Sequence, residues 1–144
     1  MVRAAGPEDC RKIYELICEL EAEALPYDRF SEIYRTQLAD GRYECLVWEG
    51  ETGVLGVLNL RFEAQLHHGG WVAEILEFAV SGMCRGQGIG SALLRQGCRR
   101  AGQRGCMQIE AACHQRRTEA HRFYIREGLS QEHFKFSKTL NGER

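Results

Sequence analysis

Proline is rare in this chain of 144 residues, occurring only as Pro7 and Pro26, and no low-complexity tract or linker interrupts it. Proline-rich and other low-complexity compositions are thereby excluded. The cysteines, Cys10, Cys18, Cys45, Cys84, Cys98, Cys106 and Cys113, are odd in number and include no C-x-x-C pair. That argues against a zinc ribbon or a disulfide framework, and for reduced thiols that mostly pack as small core residues. Cys113-His114 has the residue types of a metal or nucleophilic site, but no second cysteine or histidine stands at ligand spacing. No apolar run approaches the roughly 18 to 20 residues that span a bilayer, and Met1 to Asp9 has no signal-peptide core. A cytoplasmic protein with no membrane partner is expected. The net charge of −1 gives no reason to expect a nucleic-acid partner.

What is present describes an ordinary globular protein, 44% apolar and 27% charged, expected to form one domain over residues 1–144. Its charge is divided unevenly: residues 1–80 carry 7 Lys/Arg against 15 Asp/Glu, and residues 81–144 carry 12 against 5. An acidic half facing a cationic substrate and a basic half facing a phosphorylated one would give this pattern, as would surface charge with no role.

Periodicity supplies the elements. Val2 to Ala5 reads as a short strand, and Gly6-Pro7-Glu8-Asp9 as a helix start. Ile13, Leu16, Ile17, Leu20 and Ala24 then recur at helical spacing, and after Leu25-Pro26-Tyr27 a second helix ends near Asp40-Gly41. Tyr43 to Trp48, Val54 to Leu66 and Trp71 to Val80 are rich in strand formers and separated by turns, which predicts an antiparallel meander. Gly88 to Arg104 is helical, with Ile89, Leu93, Leu94, Cys98 and Ala101 on the inward face, although Gly97 and Gly102 each cost about 1 kcal/mol relative to alanine. Met107 to Cys113 is a further strand, Arg117 to Glu127 a helix, and His133 to Leu140 an alternating final strand with Phe134 and Phe136 on one face. The order β-α-α-β-β-β-α-β-α-β predicts an α/β (α+β) fold with a mixed central sheet.

Between the third strand of the meander and the helix lies Val80-Ser81-Gly82-Met83-Cys84-Arg85-Gly86-Gln87-Gly88-Ile89-Gly90-Ser91. A strand, a glycine turn and a helix start make an anion site, because the first helical N–H groups lack acceptors and the helix dipole favours negative charge there. A Walker loop would need Gly-Lys-Ser/Thr, and the lysine is missing; a dinucleotide fingerprint would need a third glycine at its place, and that is missing too. What remains is Arg85-x-x-Gly88-x-Gly90 five residues after Val80. This pattern resembles the acyl-CoA pyrophosphate loop of the GNAT superfamily of N-acetyltransferases, with Gly82 where those proteins usually carry proline. A closer resemblance runs over nearly the whole chain: Tyr14 to Leu20, Leu66-His67-His68, Trp71 with Glu74-Ile75, His121 to Gly128 and Gln131 to Lys138 are similar to bacterial aminoalkylphosphonate N-acetyltransferases.

The resemblance implies a GNAT fold and acetyl-CoA as cosubstrate. It places the CoA pyrophosphate on the backbone of Arg85, Gly86, Gln87, Gly88, Ile89, Gly90 and Ser91, and the pantetheine arm along Phe78, Ala79 and Val80. It also implicates His114 and Phe123 in cofactor binding, although relatives often carry asparagine near the position of His114. An alkylammonium acceptor must lose a proton before it attacks. Glu74 and Glu77 are carboxylates in an otherwise apolar strand, where burial would raise their pKa values unless they are paired. Glu74 matches the general base of several superfamily members. Glu77 stands at odd offset from it and shares its face only if the strand bulges, as this superfamily's fourth strand commonly does; salt-bridged or edge-exposed glutamates are the alternative. Tyr124 matches the family's aromatic position and is the candidate general acid for the leaving thiolate, against the plainer reading of a core aromatic. Arg61, His67 and His68 are candidates to meet a phosphonate. The adjacent histidines also leave a divalent metal open, beside a merely solvated turn. The expected partner is a small-molecule amine, with a homodimer left open. The alternatives are an acetyltransferase for a polyamine or amino acid, and a CoA-binding module without catalysis.

Overall fold

Alternating apolar side chains on three consecutive strands divide the interior between two faces of one sheet. A computed structural model of the protein describes residues 1–141, and the chain falls into two compact units, Met1–Ala111 and Ala112–Arg144. The first unit contains β1 (Val2–Ala4), α1 (Cys10–Glu21), α2 (Tyr27–Leu38), β2 (Tyr43–Gly50), β3 (Gly53–Gln65), β4 (Gly70–Val80), α3 (Ile89–Gln103) and β5 (Cys106–Ala111). The second contains α4 (Thr118–Arg126). Among the described residues no helix is long and apolar enough to cross a membrane.

The sheet order is β1-β2-β3-β4-β5, antiparallel from β1 to β4 and parallel between β4 and β5. Parallel neighbours need a crossover, and α3 supplies it. Neighbouring residues of β3 show the two faces. Val57 packs with Ile13, Leu16, Ile17, Tyr34, Val47 and Ala79 beneath α1 and α2, whereas Leu58 and Leu60 lie against Gly97 of α3.

Helix α1 forms because Ile13, Leu16 and Ile17 fall on one face, all buried. Pro7 opens a single 3₁₀ turn before it, and Ala22 ends it in the left-handed region at φ 55°. The Asp9 carboxylate ties this start to β1, accepting from Gly6 N–H at 2.8 Å and from Arg3 at 2.8 and 2.9 Å. The guanidinium holds the Asp9 carboxyl below its ordinary range. From α2, the Tyr34 hydroxyl donates to the Gly6 carbonyl at 2.6 Å.

Helix α3 corrects one detail of the sequence expectation: Cys98 is exposed and Gly97 is the buried residue. A Cβ built on Gly97 would stand 2.5 Å from Leu58 Cδ2, so the absent side chain sets how closely helix and sheet approach. Arg100 and Arg104 both lie against the Glu44 carboxylate on β2, and Arg104 stacks over the Phe62 ring at 4.0 Å. The thiols are also less internal than expected, Cys10 alone of the seven being fully buried.

A second correction concerns residues 133–140, which form no strand; Phe134, Phe136 and Leu140 are 77%, 91% and 86% exposed. Alternation marks a segment able to pair, but a strand exists only where a neighbouring edge receives it.

The two helical glycines should therefore respond oppositely to alanine. Gly102 faces open space, so Gly102→Ala should gain up to about 1 kcal/mol of stability. Gly97→Ala should lose about 1 to 3 kcal/mol through overpacking against Leu58. Denaturant unfolding of both variants checks the pair.

Candidate active site

The site is built around an irregularity in β4. Asn59 pairs with Glu77 and Leu60 with Ile75, so Leu76 is an extra residue opposite nothing on β3. Such a bulge flips the alternation of the strand beyond it. Glu77 and Glu74 consequently face the same side, opposite Asn59 and Arg61, which are two residues apart on β3. Asn59 Nδ2 donates to Glu77 Oε1 at 2.8 Å and to Gln37 Oε1 of α2 at 3.0 Å. Arg61 donates to Glu74 Oε1 at 2.5 Å and lies 3.3 Å from the Glu63 carboxylate.

The two carboxylates are unequal. Burial pushes the Glu77 carboxyl above the usual carboxylate range, the Asn59 hydrogen bond opposes this, and the charge of Glu21 adds to it. Glu74 is about one-third exposed and ion-paired. Gln37 and Asn59 escaped the sequence reading. The available signal was an asparagine inside the apolar run Val57-Leu58-Asn59-Leu60, but its partner could be named only once the register was known.

Beyond the bulge, β4 parts from β5. The parallel pairing ends at Ile75 with Ala111, while pairing with β3 continues to Val80. Leu76 to Val80 thus runs on past the parallel neighbour and delivers the chain into the glycine turn. There Ser81 N–H donates to Leu55 O at 2.8 Å and Gly82 N–H to the Glu19 carboxylate of α1 at 3.2 Å. A proline at position 82 would have no N–H to donate, and a Cβ there would stand 2.7 Å from Glu19 Oε2. Gly86 and Gly88 adopt φ of 83° and 82°, with open space where each Cβ would be. The start of α3 carries no side-chain cap. The positive end of a 15-residue helix, entered through two glycines at positive φ, fits a pyrophosphate.

Other candidates are placed as follows. Arg61 meets Glu74, but His67 and His68 lie in the exposed turn after Gln65, four residue pairs from Arg61, or about 13 Å at the rise of a strand. The two rings lie against each other at 4.2 Å, and His68 Nδ1 is 2.6 Å from Gln65 Oε1. Among the described residues no group of three His, Cys, Asp or Glu could hold a metal ion. The residues therefore do not fit the divalent metal left open by the sequence. His114, Phe123 and Tyr124 belong to the second unit. There the His121 ring is 2.9 Å from the His114 carbonyl, and the Phe123 and Tyr124 rings meet edge-on at 5.6 Å. Burial pushes the Tyr124 phenol up to about 12, so it keeps its proton at neutral pH.

A bulged strand that leaves its parallel neighbour and feeds a glycine-rich helix start agrees with the acyl-CoA transferase architecture that the glycine loop resembles. The model of the Acetyltransferase (GNAT) family matches residues 10–129, and the chain belongs to that family. It is an acetyl-CoA:amine N-acetyltransferase. It is 40% identical over 141 residues to the aminoalkylphosphonate N-acetyltransferase of Salmonella typhimurium, covering 96% of this chain and 90% of that one. Among solved structures, a transcriptional regulator from Bacillus halodurans superposes with a TM-score of 0.89 at 26% identity, covering 97% and 99% of the two chains. Glucosamine-6-phosphate N-acetyltransferase from Arabidopsis thaliana gives 0.83 at 21% identity, covering 98% of each, and supports the fold alone.

The raised pKa of Glu77 has a stability consequence. A carboxyl favoured in its neutral form by folding contributes stability at acidic pH and loses it as pH rises through its folded value. Glu77→Gln should remove that loss and flatten the unfolding free energy between pH 4.5 and neutrality, whereas Asn59→Ala should steepen it. Urea unfolding across pH measures both.

Proposed function

We propose that this enzyme acetylates the primary amine of an aminoalkylphosphonate, working as a single acyl-CoA N-acyltransferase domain over residues 1–144. The observation that carries the substrate class is the Arg61–Glu74 pair, 2.5 Å apart on adjacent strands. A guanidinium beside a carboxylate matches a zwitterion: Glu74 receives the ammonium, and Arg61 receives the phosphonate with the planar donor fork suited to such oxyanions. A polyamine offers nothing to Arg61. The 40% identity to a phosphonate acetyltransferase supports the same reading.

Acetyl-CoA supplies the activated acetyl group, and transfer is direct, without an acetylated residue. The amides of residues 85–91 and the positive end of α3 hold the pyrophosphate, and the main chain of Phe78 to Val80 aligns the pantetheine arm as an added strand would. Glu74 removes the ammonium proton so that the nitrogen lone pair is available. Glu77, on the same face and favoured as its neutral acid, adds a hydrogen-bond donor without a second negative charge. Tyr124 keeps its proton until it can pass it to the leaving sulfur. His114 and Phe123 contribute to the cofactor side.

Acetyl-CoA consumption should be measured with aminomethylphosphonate, aminoethylphosphonate, spermidine and free amino acids. Turnover of the phosphonates is expected, and turnover of spermidine alone would overturn the assignment. Glu74→Gln should lower kcat by about 10² to 10⁴, the usual contribution of a general base, and the loss should shrink at high pH. Arg61→Ala should raise KM for phosphonates far more than for simple amines. Tyr124→Phe should lower kcat without weakening the CoA-induced thermal shift.

A further inference from the structure

Two side-chain amides link the end of α2 to the bulge of β4, and their polarity is fixed by counting donors and acceptors. An asparagine amide carries both of its N–H donors on one nitrogen. On Asn59 both are committed, one to Gln37 Oε1 at 3.0 Å and one to Glu77 Oε1 at 2.8 Å. Gln37 is itself held in place. It lies in the last turn of α2, one turn after Tyr34, whose hydroxyl is bonded to the Gly6 carbonyl, and its neighbour Leu38 packs against the core. The Gln37 oxygen is therefore a fixed acceptor, and it keeps the nitrogen of Asn59, rather than the oxygen, turned toward β4.

Glu77 Oε1 must accordingly accept. Burial favours the neutral carboxyl and outweighs the opposing Asn59 bond, so the proton resides on Oε2. Among the described residues that oxygen has no partner, and it is not sealed from solvent. The groups around it preserve the arrangement. Glu21 of α1 adds to the bias toward the neutral acid, Cys45 of β2 stays a thiol, pushed up to about 12 by burial, and the Arg61–Glu74 pair lies one row further along the sheet.

We infer that Gln37 is a positioning residue for the acceptor: through Asn59 it directs the Glu77 carboxyl to donate from Oε2 to a phosphonate oxygen that Arg61 leaves uncovered. This rests on the phosphonate reading of the Arg61–Glu74 pair. A phosphonate has three oxygens, and a guanidinium fork takes two of them. Arg61 stands diagonal to Glu77 across β3 and β4, a separation of about 7 to 8 Å that long side chains span. An ionised glutamate there has only acceptors to offer, whereas the neutral acid supplies a donor. Gln37 and Asn59 line a cavity of ≈ 160 Å³ beneath α2, which leaves the amide room to turn. Without the Gln37 oxygen, Asn59 is free to rotate and take the Glu77 proton on its own oxygen, which turns the donor away from the acceptor.

Steady-state kinetics with aminoethylphosphonate and with propylamine, which lacks the phosphonate, test this. Gln37→Met keeps the side-chain length and removes the oxygen. It should raise KM for aminoethylphosphonate about 3- to 10-fold, the scale of one neutral hydrogen bond, and leave kcat and the propylamine KM little changed. Glu77→Leu should raise the same KM selectively, and adding Gln37→Met to it should have no further effect, since nothing remains to orient. An unchanged KM in Gln37→Met overturns the inference. So does an equal rise for propylamine, which marks general damage to α2, or an undiminished effect of Gln37→Met in the Glu77→Leu background. If the wild-type enzyme turns over propylamine and ignores aminoethylphosphonate, the phosphonate reading itself falls, and the inference with it.

Discussion

A single supernumerary residue, Leu76 in β4, is the constraint from which the site follows. Without it, period-two alternation would send Glu74 and Glu77 to opposite faces of the sheet. With it, both carboxylates stand over the same stretch of β3, where Asn59 and Arg61 supply different partners. The strand also gains local twist at a bulge, and it is one residue earlier, at Ile75, that the pairing with β5 stops. The feature that gathers the acid groups thus adjoins the point where the sheet opens.

The surroundings of these two carboxylates differ. Glu74 has a cation beside it and remains partly in water; Glu77 has a neutral amide and little water. Two groups of the same chemistry thus stand in different settings: Glu74 in an ion pair with Arg61, Glu77 favoured as its neutral acid by burial. Burial is what sets Glu77 apart; the Asn59 hydrogen bond works against that bias, so its removal would raise the Glu77 carboxyl further.

Much of this was legible from residues alone, and the exceptions have physical causes. Ile13, Leu16 and Ile17 announce α1 because helical burial is periodic, and Arg85, Gly88 and Gly90 announce the anion loop because positive φ and close approach leave few residue choices. Cys98 was placed inward because a hydrophobicity pattern counts side chains and cannot register that Gly97 is buried for having none. The strand expected at 133–140 has the right alternation, but strand formation depends on a partner edge that no local pattern reveals. Likewise Asn59 is an unexplained polar residue until the register brings Glu77 opposite it.

The bond from Gly82 N–H to Glu19 bears on how exchangeable such loops are between relatives. In this chain the glycine turn is not a cassette. Its first N–H is tied to a side chain on α1, more than sixty positions away, and the proline common in the superfamily would lose the bond and make the carboxylate swing aside. A loop grafted from a proline-bearing member would forgo this tie to α1 and leave the Glu19 carboxylate to find another partner.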